Sequence, residues 1–100
     1  MKTTGLSEAE MSLICRSLSS HQDVSGAILF GSRAKGTSSP SSDIDLALEG
    51  VENEIRAEAI ANDLEELPLP YRFDVKAISS IEYAPLREHI ERVGIRIYGD

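Results

Sequence analysis

Two aspartates stand two apart in the run Asp43-Ile44-Asp45-Leu46. On a strand this spacing sends both carboxylates to one face, about 6.5–7 Å apart at the backbone. Side by side they repel, and aspartate is a poor strand former, so the fold gains nothing from the pair. A divalent cation between them removes the repulsion, and hard oxygen donors suit Mg²⁺ or Mn²⁺; the competing reading is a solvated edge strand. An EF-hand loop is excluded, because Ala47 and Leu48 stand where a ligand and a glycine are required. A third acid, Asp74, alternates with Phe73 and Val75 and so points away from the apolar face. If its strand is a neighbour, three carboxylates share one face, an arrangement able to hold two metal ions against a phosphoryl group. Upstream, Gly31-Ser32 follows the apolar run Val24–Phe30 directly. A glycine at a strand end lets backbone N–H groups approach a phosphate, and the serine adds a hydroxyl donor. Arg33 and Lys35 are the only formal charges between Asp23 and Asp43, although a plain glycine turn with solvated basic residues reads the same way. Gly31 and Gly36 have the spacing of a Walker A loop, but Thr37-Ser38 follows where lysine and then serine or threonine are needed.

The elements that must position these residues are marked along the chain. Ser7 and Glu10 have capping-box spacing, and Leu6 with Met11 makes a hydrophobic staple. Met11, Ile14, Cys15 and Leu18 then form the stripe of a first helix that fades at Ser19-Ser20-His21. Strands are expected at 24–30, 43–49 and 72–78, the second with Ile44, Leu46 and Leu48 opposite Asp43, Asp45, Ala47 and Glu49. Gly36–Ser42 is a serine-rich loop. Ile55, Ala59, Ile60, Leu64 and Leu67 mark a second helix, stopped by Pro68 and Pro70. Pro85 fits the first turn of a last helix carrying Leu86, Ile90 and Val93, with Gly94 as its cap. Residues 95–98 can add a final strand. The order αββαβα with that optional strand implies an α+β fold with helices packed on one face of a small sheet.

At 100 residues, 41% of them apolar and 27% charged, the chain reads as one domain over 1–100. Ten basic against 17 acidic residues give a net charge of −7, which argues against gripping nucleic acid. No apolar run is long enough for a membrane span, and Met1-Lys2-Thr3-Thr4-Gly5 leads into polar sequence rather than a signal peptide. Cys15 is the single cysteine, which excludes an internal disulfide and a multi-cysteine zinc site. A cytoplasmic location is expected. A domain this small buries only about 60–65% of its unfolded surface, leaving little room for a lidded pocket of its own. Cys15 reads as packing, His21 and His89 as surface residues, and Tyr71, Tyr83 and Tyr98 show no stacking pattern. The segment Glu52–Glu66 carries six acids and one arginine, either a solvated face or one that meets a basic partner.

Phe30-Gly31-Ser32, a ten-residue gap, then Asp43-Ile44-Asp45-Leu46 resembles the signature of the polymerase-β-type nucleotidyltransferase superfamily. The fuller string Gly31-Ser32-Arg33-Ala34-Lys35-Gly36 with Ser42-Asp43-Ile44-Asp45-Leu46, in so short a chain, is similar to the minimal nucleotidyltransferases (MNT proteins). With Asp74 in a following strand and the ending Gly94-Ile95-Arg96-Ile97-Tyr98, the resemblance covers nearly the whole chain. It implies a mixed sheet backed by helices and transfer of a nucleotide from a nucleoside triphosphate. By the same resemblance Gly31 and Ser32 contact the triphosphate, and the basic Arg33 and Lys35 beside them are expected to help hold the phosphates. Asp43 and Asp45 bind metal, and Asp74 completes the metal site and helps activate the acceptor hydroxyl. Many such proteins resemble antitoxins that add AMP to a tyrosine of a HEPN-domain RNase toxin. The expected function is therefore a protein adenylyltransferase that uses ATP and two Mg²⁺ ions and acts on a HEPN-type toxin partner. The alternatives are an antitoxin that neutralises by binding alone and an antibiotic-type small-molecule nucleotidyltransferase. The last is disfavoured because the chain lacks room for a small-substrate domain.

Overall fold

The first helix, α1 (Glu8–Ser19), begins where the sequence places it: Glu10 N–H donates to Ser7 Oγ at 3.1 Å, and Ser7 N–H to Glu10 Oε1 at 2.9 Å. In the computed structural model, which describes residues 4–99, there follow β1 (Gly26–Phe30), α2 (Gly31–Lys35), β2 (Ile44–Glu49), α3 (Glu54–Glu65), β3 (Phe73–Ala77), a 3₁₀ turn (Ile78–Ser80), α4 (Ala84–Val93) and β4 (Ile95–Gly99). The leader reading at Met1–Thr3 and the outermost ends of the 1–100 domain lie outside the described residues.

The four strands form one mixed sheet in the order β3-β2-β1-β4. β1 runs antiparallel to both β2 and β4, while β2 and β3 are parallel and joined by α3. The optional last strand is thus formed, and it pairs with β1. On one face, Ala27, Leu29, Ile44, Leu46, Leu48, Phe73, Val75 and Ala77 pack against Ile14 and Leu18 of α1 and Ala57, Ile60 and Leu64 of α3. Two details differ from expectation. The buried stripe of α3 runs through Ala57 rather than Ile55, which is 76% exposed. The face predicted to carry all the helices carries α1 and α3, whereas α4 packs on the opposite face, where Ile90 meets Phe30, Ala47 and Ile81. Strand alternation supplies the reason: Ile28 and Phe30 point away from Ala27 and Leu29 and need a second apolar cover.

Cys15 is part-buried, its Sγ donating to the Ile97 carbonyl at 3.2 Å, and burial pushes its thiol up. Two acids of the 52–66 segment do more than face solvent. Glu65 accepts from Phe73 N–H at 2.9 Å and Glu54 from Ala77 N–H at 3.2 Å, covering donors on the edge strand β3 that would otherwise template another strand. Among the described residues no helix is long and apolar enough to cross a membrane.

Candidate active site

β1 and β2 bring the two halves of the motif to one end of the sheet. Phe30 pairs with Asp45, and Asp45 pairs with Asp74, so the three form a row across neighbouring strands on the α4 side. Residues directly opposite each other in a sheet share a face, and Asp43, two before Asp45, belongs to that face by alternation. The condition attached to Asp74 is met: β3 lies beside β2, and three carboxylates share one face. Asp43 and Asp74 are exposed and Asp45 is half-buried.

Gly31 closes the row. Its φ of +75° is one that L side chains rarely adopt, and a Cβ there would run into the Asp45 carboxylate. The glycine is therefore needed both for the turn and for the approach of the turn to Asp45. The turn then continues into the short helix α2, where only a glycine turn was expected, and ends at Gly36 in the left-handed region with φ +80°. Ser32 lies in its first turn and Lys35 is exposed in its last.

Arg33 is not with them. Its side chain is 1% exposed and turned into the fold. Nε and Nη2 donate to the Ser42 carbonyl at 3.2 and 2.9 Å, and Nη1 donates to the Thr4 carbonyl at 2.8 Å. The guanidinium also lies 4.7 Å from the centroid of the Tyr71 ring, whose hydroxyl donates to Glu10 Oε2 at 2.8 Å. The side chain expected to contact phosphate is thus held by the Ser42 and Thr4 carbonyls. With all three nitrogens committed, it pins the far end of the serine loop, one residue before Asp43. A cleft of about 230 Å³ lined by Gly5, Arg33, Gly36, Ser38, Ser39, Pro40 and Tyr71 lies beside this clamp, and none of the three aspartates lines it.

Burial, then repulsion from Asp74 and Asp43, pushes the Asp45 carboxyl up to about 6, against partial relief from Lys76 and Arg33. Lys76, paired with Ala47 and so on the same face, holds its Nζ 3.7 Å from Asp74 Oδ1. The face thus carries more negative charge than its own residues neutralise, all on hard oxygen donors, which fits Mg²⁺. Among the described residues no three acid, histidine or cysteine side chains converge into a closed ligand set as they stand.

The family model "Polymerase beta, Nucleotidyltransferase" matches residues 13–100. The chain belongs to this nucleotidyltransferase family. Its fold is shared with a chain of a toxin–antitoxin crystal structure containing AMP-PNP, at 23% identity and TM-score 0.73, over 95% of this chain and 75% of that one. It is shared with a chain of the MntA–HepT toxin–antitoxin, at 18% identity and TM-score 0.72, over 94% and 74%. A tri-AMPylated Shewanella oneidensis HEPN toxin in complex with MNT antitoxin gives 19% identity and TM-score 0.65, over 98% and 74%. At these identities the likeness is one of fold. No curated protein matches the sequence.

In this nucleotidyltransferase two site neighbours escaped the sequence reading. His89, expected at the surface, is half-buried on α4; its Nε2 accepts from Gly31 N–H at 3.1 Å, and its ring stands edge-on to Phe30, with centroids 6.2 Å apart and planes at 82°. Its place at three and four residues from Leu86 and Val93, beside Ile90, put it on the apolar stripe of α4, and that was the available signal. Lys76 alternates with Val75 and so shares Asp74's face, a signal equally present in the strand pattern. His21, the other histidine, ties the turn after α1 to α3: its Nε2 lies 2.7 Å from Asp63 Oδ2, next to the Arg56–Asp23 pair.

Proposed function

We propose that this chain transfers AMP from ATP to a hydroxyl of a partner protein, with a tyrosine of a HEPN-type toxin as the acceptor, and so acts as that toxin's antitoxin. The observation that carries the reading is the register of Asp45 beside Asp74, with Asp43 on the same face and the Gly31 turn packed directly on Asp45. Supporting it are the family and the fold shared with an MNT antitoxin bound to an AMPylated HEPN toxin.

Asp43, Asp45 and Asp74 are the residues that would hold Mg²⁺, which when bound neutralises triphosphate charge and polarises the phosphoryl oxygens. The Ser32 hydroxyl and the backbone N–H groups after Gly31 donate to phosphate oxygens, and Lys35 adds positive charge at the far end of α2. Asp74, exposed on the edge strand β3, accepts the proton of the incoming hydroxyl. The hydroxyl oxygen bonds to the α-phosphorus as the bond to pyrophosphate breaks, so catalysis is chiefly positioning and charge compensation. Both Asp43 and Asp74 are open to solvent, which suits an acceptor presented by a macromolecule. The net charge of −7 suits steering toward a basic, RNA-binding partner.

A labelled-ATP transfer assay run beside calorimetric titration of Mg²⁺-ATP tests the assignment. Asp74→Asn is expected to keep much of the nucleotide affinity and lose transfer. Transfer at the wild-type rate in that variant removes Asp74 from the site. Partner inhibition with no label incorporated, unchanged in Asp43→Asn, favours an antitoxin that acts by covering its target.

A further inference from the structure

We infer that His89 is the positioning residue of the nucleotide-binding turn: by accepting the Gly31 N–H it fixes the orientation of Gly31-Ser32 and sets nucleotide affinity without touching the nucleotide. The inference rests on the reading that this turn receives the triphosphate.

Gly31 provides the first N–H of α2, which by helix geometry has no partner within the helix. The preceding residue, Phe30, supplies no side-chain cap. The acceptor comes instead from 58 residues away, His89 Nε2 at 3.1 Å. An acceptor at Nε2 puts the ring proton on Nδ1. The ring is held by its edge-on contact with Phe30 and by its helix, whose Leu86 and Ile90 pack in the same apolar cluster as Phe30 and Ala47. The Gly31 peptide is thus placed against Asp45, whose carboxylate fills the space a side chain would take, and held at its N–H by His89. With that donor spent, the Ser32 hydroxyl and the later first-turn N–H groups are the ones left for phosphate, aimed by a peptide that His89 orients. The device links α4, the helix on the carboxylate side of the sheet, to the turn.

The experiment compares wild type, His89→Leu and His89→Gln. Leucine keeps apolar bulk without an acceptor; the glutamine carbonyl lies the same number of bonds from the backbone as Nε2 and can accept. Amide hydrogen exchange at Gly31, followed by NMR, is expected to be slow in wild type and His89→Gln and faster in His89→Leu. The KM for ATP is expected to rise about five- to tenfold in His89→Leu, as for one lost hydrogen bond, to return toward wild type in His89→Gln, and to change with little effect on kcat. Unchanged Gly31 exchange in His89→Leu overturns the inference. So does faster exchange with unaltered KM, or a KM in His89→Gln no better than in His89→Leu. Should His89→Leu fail to fold, the glutamine variant still decides: a KM far above wild type with Gly31 protected overturns the role. A wild-type protein that protects Gly31 yet neither binds ATP nor transfers from it overturns the nucleotidyltransferase reading itself. Wild-type binding that survives intact in His89→Leu overturns only this inference.

Discussion

Replacing Asp45 with asparagine keeps the side-chain shape and removes one charge from a crowded face. The Asp45 carboxyl is raised from 3.8 to about 6, first by burial and then by Asp74 and Asp43. The folded protein therefore holds this proton more tightly than the unfolded chain does. Ionised Asp45 weighs against folding, an effect absent below the unfolded value of 3.8 and complete above about 6. Roughly two units correspond to a ceiling of about 3 kcal/mol. Because the side chain is only half-buried, solvent screening reduces this to about 1 kcal/mol. In a domain of this size, about 1 kcal/mol moves Tm by about 4–8 °C. Asp45→Asn should thus melt about 4–8 °C above wild type near pH 7.5 in EDTA, and the gain should vanish near pH 3.5, where both states hold the proton. Thermal unfolding by circular dichroism at the two pH values measures both. A lower midpoint at neutral pH would mean that the carboxylate makes a structural bond, and an equal gain at acid pH would mean that charge is not the cause; either result refutes the reasoning. The same variant should lose nucleotide transfer.

Gly31→Ala must hold alanine at φ +75° with a methyl against Asp45; a loss of about 1–2 kcal/mol in urea unfolding is expected, together with loss of ATP binding by calorimetry. Arg33→Met keeps the apolar stem but leaves the Ser42 and Thr4 carbonyls without their donors, so stability should fall by about 2–4 kcal/mol. An unchanged melt with weakened ATP binding would instead return Arg33 to the phosphate. On the acid side, Arg56 beside Asp23, Arg96 beside Glu49 and the Ser7 amide beside Glu10 hold these carboxyls below the usual carboxylate range. The stability they add is present at neutral pH and lost as pH falls through those lowered values. Asp23→Asn should therefore lower the urea midpoint at neutral pH and leave it unchanged at strongly acid pH, where wild type has lost the same contribution.

Local signals carried much of the fold and the face of the site. The Ser7/Glu10 capping box, the alternation of Ile44, Leu46 and Leu48, and Pro85 with Gly94 each describe contacts made within a few residues, so their geometry follows from spacing alone. Asp43 and Asp45 were placed on one face by the same period-two rule. What escaped depends on partners distant in sequence. Strand alternation fixed which residues share a side but not that Ile28 and Phe30 would demand α4 as a cover. Arg33 looked like a free cation because its acceptors, the Thr4 and Ser42 carbonyls, become neighbours only when the serine loop closes. His89 lies 58 residues from Gly31, and its link exists only because α4 crosses the sheet above Phe30. Ile55 misled the α3 stripe because an apolar residue at the first turn satisfies the helical period without being inward; the small Ala57 is the residue that lets α3 approach the sheet.

Intact-mass spectrometry of the partner toxin after incubation with this chain, ATP and Mg²⁺ tests the proposed transfer most directly. The mass of one or more adenylates should appear on the toxin, map by fragmentation to tyrosine, and be absent with Asp43→Asn or Asp45→Asn. A toxin silenced without any added mass, and silenced equally by those variants, would contradict transfer as the means of neutralisation.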